Sequence, residues 1–164
     1  MHILLNMEKQ ISGKDVPALL HSAFFGFELA HGKLTGNSSR AIMQGIIKYL
    51  PLILNKEGQH IFDHDSTLEE NVKSFRDYLS NPELFEKVIF EKTGDNSYNF
   101  ELRGCAFAKS GVHDILAPEK CTCPFAIIAS TIIYELSNKD ITTSYSEINN
   151  MDSKTNIQIF SLNK

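Results

Sequence analysis

The chain has 164 residues, of which 42% are apolar and 22% charged, with a net charge of −4. That length suits one domain with its own hydrophobic core, spanning 1–164. Lys and Arg are scattered with no basic run, which argues against nucleic-acid binding. The most apolar segment, "AIMQGIIKYLPLIL" (41–54), is broken by Gln44, Lys48 and Pro51, so no membrane span is expected.

The N-terminus "MHILLNMEKQ" lacks the basic start and long apolar stretch of a signal peptide. Three cysteines are an odd number for a disulfide framework. Both observations point to a reduced, cytoplasmic setting.

In chain order, "DVPALLHSAFFGFELAHG" (15–32) places Val16, Leu19, Leu20, Ala23, Phe24, Phe27 and Ala30 at helical spacing. Asp15 can cap the start, Pro17 fits the first turn and Gly32 suits the end. The spacing puts Phe24 and Phe27 on the core face and turns Phe25 aside, where Phe25 with Leu29 could serve a dimer face. A second helix, capped by Ser38 or Ser39, runs to about Leu54 and shows Ile42, Gly45, Ile46, Tyr49, Leu50 and Ile53 on one face. Pro51 is expected to kink its last turn.

A third helix follows Ser66, whose spacing to Glu69 matches a capping box. Its core face is Leu68, Val72, Phe75 and Leu79. The period then changes. "EKVIFEKT" and "SYNFELR" flank the turn "GDN", a hairpin pattern. Tyr98, Phe100 and Leu102 alternate with Asn99, Glu101 and Arg103, giving one buried and one wet face. From Pro124 the pattern is helical again, through Phe125, Ile128, Ala129, Ile132, Ile133 and Leu136. The tail reads as two strands around "NNMDSK". The expected fold class is α+β: three N-terminal helices and a four-stranded antiparallel sheet made of two hairpins with a helix between them.

Between the first hairpin and that helix lies "CAFAKSGVHDILAPEKCTCPF" (105–125), which contains every cysteine of the chain. Cys105, His113, Cys121 and Cys123, spaced C-x7-H-x7-C-x-C, supply a Cys₃His set of the kind that closes around a structural zinc. A helix beginning near Pro124 would favour thiolates at its N-terminus. The competing readings are small buried core cysteines with a solvent-exposed loop histidine, a redox pair of Cys121 and Cys123, or a catalytic thiol. An iron–sulfur cluster usually needs a fourth thiolate.

"HIFDHD" (60–65) offers His60, Asp63, His64 and Asp65 as ligands, yet its place before a helix favours a capping role. His21 within the first helix and His31 at its end need no functional explanation. Glycine-rich phosphate loops, G-x-S-x-G and H-E-x-x-H are absent from the sequence.

"FFGFELAHGKLTGNSSRAIMQGIIKYL" (24–50) and "YNFELRGCAFAKSGVHDILAPEKCTCPFAIIASTIIYEL" (98–136), with the paired C-terminal strands, resemble the vinyl-reductase-like, or hydrocarbon-binding, domain family. That resemblance spans most of the chain and is one of pattern. It implies the fold of transport-particle subunits of vesicle tethering: a helical layer on an antiparallel four-stranded sheet around a buried apolar cavity. Members serve as sensory domains of aromatic-responsive activators, as accessories in tetrapyrrole synthesis and as stand-alone archaeal proteins, and cysteines near this position suggest zinc.

The expectation is a non-enzymatic domain that binds an apolar small molecule between helices and sheet, against Phe24, Phe27, Ile46 and Phe125, with structural zinc. The alternatives are a homodimer or assembly module joined through the first two helices, and a zinc- or thiol-dependent enzyme. A large exposed apolar patch on those helices would favour the module.

Overall fold

Alternation along three strands builds the centre of the molecule, described here from a computed structural model for residues 16–35, 40–58, 61–109, 111–116 and 119–160. Strand β1 (Lys87–Gly94) pairs antiparallel with β2 (Ser97–Arg103), placing Phe90 opposite Phe100. Strand β5 (Asp152–Phe160) lies on the other side of β2, with Tyr98 opposite Ile157 and Phe100 opposite Thr155. Tyr98, Phe100 and Leu102 are buried as their spacing requires, and so are Ser153, Thr155 and Ile157 of β5.

The free edge of β5 carries β3 (Asp140–Thr143) and β4 (Glu147–Asn149), giving the order β1-β2-β5-β3 with β4 also on β5. The described residues therefore form five strands, not the expected four. The last hairpin is two-sided as expected, but its first arm breaks at Ser144–Ser146, where the chain turns away to hold the crossover described below.

Helix α5 (Pro124–Ser137) covers the sheet and is the hub of the core. It buries Ala126, Ile127, Ala129, Ile132 and Ile133, and a helix apolar nearly all round belongs in a core. Ser130 and Thr131 are tolerated there because their hydroxyls bond the carbonyls of Ala126 and Ile127, at 2.8 and 2.9 Å. Asn138, in the left-handed region at φ 50°, ends the helix.

Helix α2 (Arg40–Lys56) and α3 (Leu68–Leu79) flank α5 through Met43 and Ile47, and through Val72, Phe75 and Leu79. Helix α2 passes through Pro51 to Lys56, about half a turn beyond the expected end. The caps proposed at Ser38 or Ser39 lie outside the described residues. In α3 the capping box sits one residue later than expected, on Thr67 and Glu70, with Glu70 N–H donating to Thr67 Oγ1 at 3.2 Å and Thr67 N–H to Glu70 at 2.8 Å. Ser66 is occupied elsewhere, its hydroxyl donating to Asp63 Oδ2 at 2.7 Å.

Helix α1 (Val16–Thr35) reverses the expected orientation. Phe25 is 1% exposed, whereas Phe27 is 60% exposed. The inward stripe is His21, Phe25 and Glu28, at i, i+4 and i+7, because α1 packs on the crossover and on α5. Among the described residues no helix is long and apolar enough to cross a membrane.

Candidate functional site

Backbone hydrogen bonds fix the 105–123 crossover at both ends. Gly104 adopts φ 63°, and a Cβ there would run into the Glu86 side chain. Its N–H donates to Asp152 Oδ1 at 3.0 Å, and Cys105 N–H donates to the Met151 carbonyl at 2.9 Å. A 3₁₀ turn (Ala106–Ala108) and a short helix α4 (Val112–Leu116) follow. At the far end Thr122 N–H donates to both carboxylate oxygens of buried Glu28, at 3.1 and 3.0 Å. Cys123 N–H donates to Ser146 Oγ at 2.7 Å, and Ser146 N–H returns to the Cys121 carbonyl at 2.9 Å. Ser146 leaves the β3–β4 edge to make these bonds, which explains the break in that strand.

All four expected zinc ligands are buried. Cys105 and Cys123 pack in the main core, and Cys121 packs with Phe25 and Leu116 in a smaller cluster. No group of three or more His, Cys, Asp or Glu side chains able to hold a metal ion is found among the described residues. His113 belongs to α4, where sequence reading saw only a loop, and it is 1% exposed.

The thiols are also chemically quiet. Burial, reinforced by Cys123, pushes Cys105 up to about 11. Burial, then Glu28 and Glu119, pushes Cys121 up to about 12. Cys123 sits at the N-terminus of α5, whose Ala126 and Phe125 N–H groups favour a thiolate, yet burial dominates and its pKa is raised. These are the opposite of an activated nucleophile.

Sequence reading passed over His21, which the fold carries to His113. Their ring centroids are 5.7 Å apart. Phe25 meets both rings edge-on, at 4.9 and 5.9 Å, while Phe107 and Phe125, stacked on each other, lie 5.9 and 6.2 Å from His21. His21 is 5% exposed, and neither of its ring nitrogens has a hydrogen-bond partner among the described residues. Burial first, then His113, lowers His21 to about 4. Burial lowers His113 too, opposed by the nearby Asn150 backbone and by Asp114 and Asp152. The detectable signal was the i, i+4, i+7 run of His21, Phe25 and Glu28.

The expected ligand residues divide. Phe27 and Ile46 line an open groove of about 350 Å³ with Ile42, Tyr49, Leu50 and Ile53. Phe24 and Phe125, both half-buried, pack against the main core. On the same two helices, Leu19, Leu20 and Leu34 of α1 and Tyr49, Leu52 and Ile53 of α2 are each more than half exposed.

In "HIFDHD", His60 lies outside the described residues. Asp63 accepts from Asp65 N–H at 3.0 Å and from the Ser66 hydroxyl, so this stretch shapes the start of α3. No protein-family model matches this chain, and no curated protein sequence matches it.

Proposed function

We propose that this chain is a non-enzymatic assembly module that pairs with a second copy of itself through α1 and α2. One observation carries the reading. Leu20, Ala23, Phe27, Ala30 and Leu34 stand at a-d-a-d-a spacing along α1, and all five are exposed. The only formally charged side chains on that 20-residue helix are Glu28, which is buried, and Lys33, which pairs with Glu119 at 3.1 Å. A helix in water normally carries charge on its open face; this one carries leucine and phenylalanine.

The occupant is a second copy because one apolar face runs from the α1 ridge, through Phe27, into the groove lined by α2. Such a surface meets its own image about a two-fold axis. The seven large apolar residues named on α1 and α2 expose on the order of 800 Å², taking about 150–250 Å² per large side chain, close to one partner's share of a standard interface. The likeness to vinyl-reductase-like domains belongs to this reading as the fold that would display the two helices.

Sedimentation equilibrium at micromolar concentration tests it. The expected species has twice the 18.5 kDa chain mass; a monomer at every concentration would refute the proposal. A second reading rests on the groove itself, whose 350 Å³ is within the usual range for small-molecule sites. A monomer that takes up an apolar fluorescent probe, and loses it on Ile46→Asp, would favour that reading.

A further inference from the structure

We infer that the hollow between the 61–66 segment and α3 binds a small organic cation, a protonated amine carried on an apolar body. Phe62, Asp63 and Ser66 line it from the segment, and Ser74, Phe75 and Tyr78 line it from the helix. Its volume of about 590 Å³ is within the usual range for small-molecule sites.

The two walls are tied together by Asn71, which also lines the hollow and is 4% exposed. Asp63 N–H donates to Asn71 Oδ1 at 2.6 Å, while Asn71 Nδ2 donates to the carbonyls of Asp63 and Thr67 at 2.8 and 2.9 Å. On the helix side, Asn71, Ser74, Phe75 and Tyr78 stand at i, i+3, i+4 and i+7, so they share one face. A ligand therefore meets walls already held in place, and little ordering cost remains to be met on binding.

The chemistry of the lining selects the charge. Asp63 is the one formally charged side chain among the described lining residues. Its carboxylate accepts the Asp65 N–H at 3.0 Å and the Ser66 hydroxyl at 2.7 Å, which leaves about two of its roughly four lone-pair sites for a ligand. The Ser66 hydroxyl first, then the Asp65 N–H, holds this carboxyl below its ordinary range, so it is ionised at pH 7. Among the described residues no Lys or Arg forms an ion pair with it. An ammonium supplies the donors and the charge that Asp63 lacks. Phe62, Phe75 and Tyr78 cover the apolar body, and aromatic faces attract cations. Anions gain nothing from the positive end of α3, because the Glu70 carboxylate already occupies it in the capping box with Thr67.

Amide NMR of the full chain tests this, with tryptammonium, neutral tryptophol and anionic indolepropionate as matched probes. Saturable shifts at Ser74 and Tyr78 are expected with tryptammonium, and about tenfold or weaker binding of the other two. Tyr78→Ala, at a position 82% exposed, should weaken tryptammonium about tenfold and leave the fold intact. Ser74→Arg, also exposed, should abolish binding by placing a like charge in the hollow. Phe27→Ala should change nothing here, since the groove beside α2 shares no lining residue with this hollow; a failed dimer is thereby told apart from a failed site. Absence of saturable shifts at Ser74 and Tyr78, equal binding of the three probes, or undiminished binding in Tyr78→Ala or Ser74→Arg would each overturn the site.

Discussion

Replacing Phe27 by alanine separates the assembly face from the fold. In the single chain Phe27 is 60% exposed, so about 120 Å² of a roughly 200 Å² side chain remains to be covered by a partner. At about 25 cal/mol per Å² that contributes about 3 kcal/mol per copy, and a two-fold contact uses it twice, about 6 kcal/mol. Truncation to alanine forfeits most of this, so the dimer dissociation constant should rise by about three to four decades. The same change touches little within the chain, so monomer stability at nanomolar concentration should move by less than about 0.5 kcal/mol. Phe25→Ala, two positions away but buried, should instead lower stability by about 3–5 kcal/mol. Sedimentation equilibrium reads the first quantity and urea unfolding the second. A dissociation constant changed less than tenfold by Phe27→Ala would refute the assignment of this face.

Burial of His21 sets an acid limit to stability. Its pKa is about 4 folded against an ordinary 6.5, so the unfolded chain binds the proton first. Stability is complete above about pH 6.5 and should fall by about 3 kcal/mol as pH drops toward 4. His113, lowered in the same direction, adds to the slope. Urea melts between these pH values should show it, and His21→Leu should flatten it; a flat profile in the natural chain would refute the burial argument. Ser146→Ala should cost about 1–3 kcal/mol by leaving the Cys123 N–H without its 2.7 Å acceptor. A loss under about 0.5 kcal/mol in the same assay would mean that this bond does not hold the crossover.

The β1–β2 hairpin was legible because alternation over Tyr98, Phe100 and Leu102 has period two and one face is buried. The start of α5 was legible because Pro124 tolerates the first turn of a helix and little else inside one. The capping box was misplaced by one residue because Ser66 to Glu69 and Thr67 to Glu70 have the same spacing. Only the tertiary bond from Ser66 to Asp63 decides between them. The interruption between β3 and β4 depends on Ser146 reaching Cys121 and Cys123, more than twenty positions away. Local periodicity holds no record of such a bond.

Helix α1 was misread for a different reason. Hydrophobic periodicity reports that a face avoids water, and it does not say whether the covering surface belongs to the same chain. Leu20 and Phe27 were therefore placed on the core face, while His21 was given no function.

Placed in the fold, the polar residues His21 and Glu28 anchor α1 to its own chain together with Phe24, Phe25 and the Lys33–Glu119 ion pair. Glu28 receives the Thr122 N–H, and His21 enters the cluster of Phe25, Phe107, His113 and Phe125. Polar anchors fix orientation more sharply than apolar contacts, since a carboxylate over a buried N–H has one favourable rotation about the helix axis. That rotation is the one that leaves the leucine and phenylalanine ridge outward. The apolar area withheld from the monomer core is thus displayed in a single defined direction, as a two-fold contact requires.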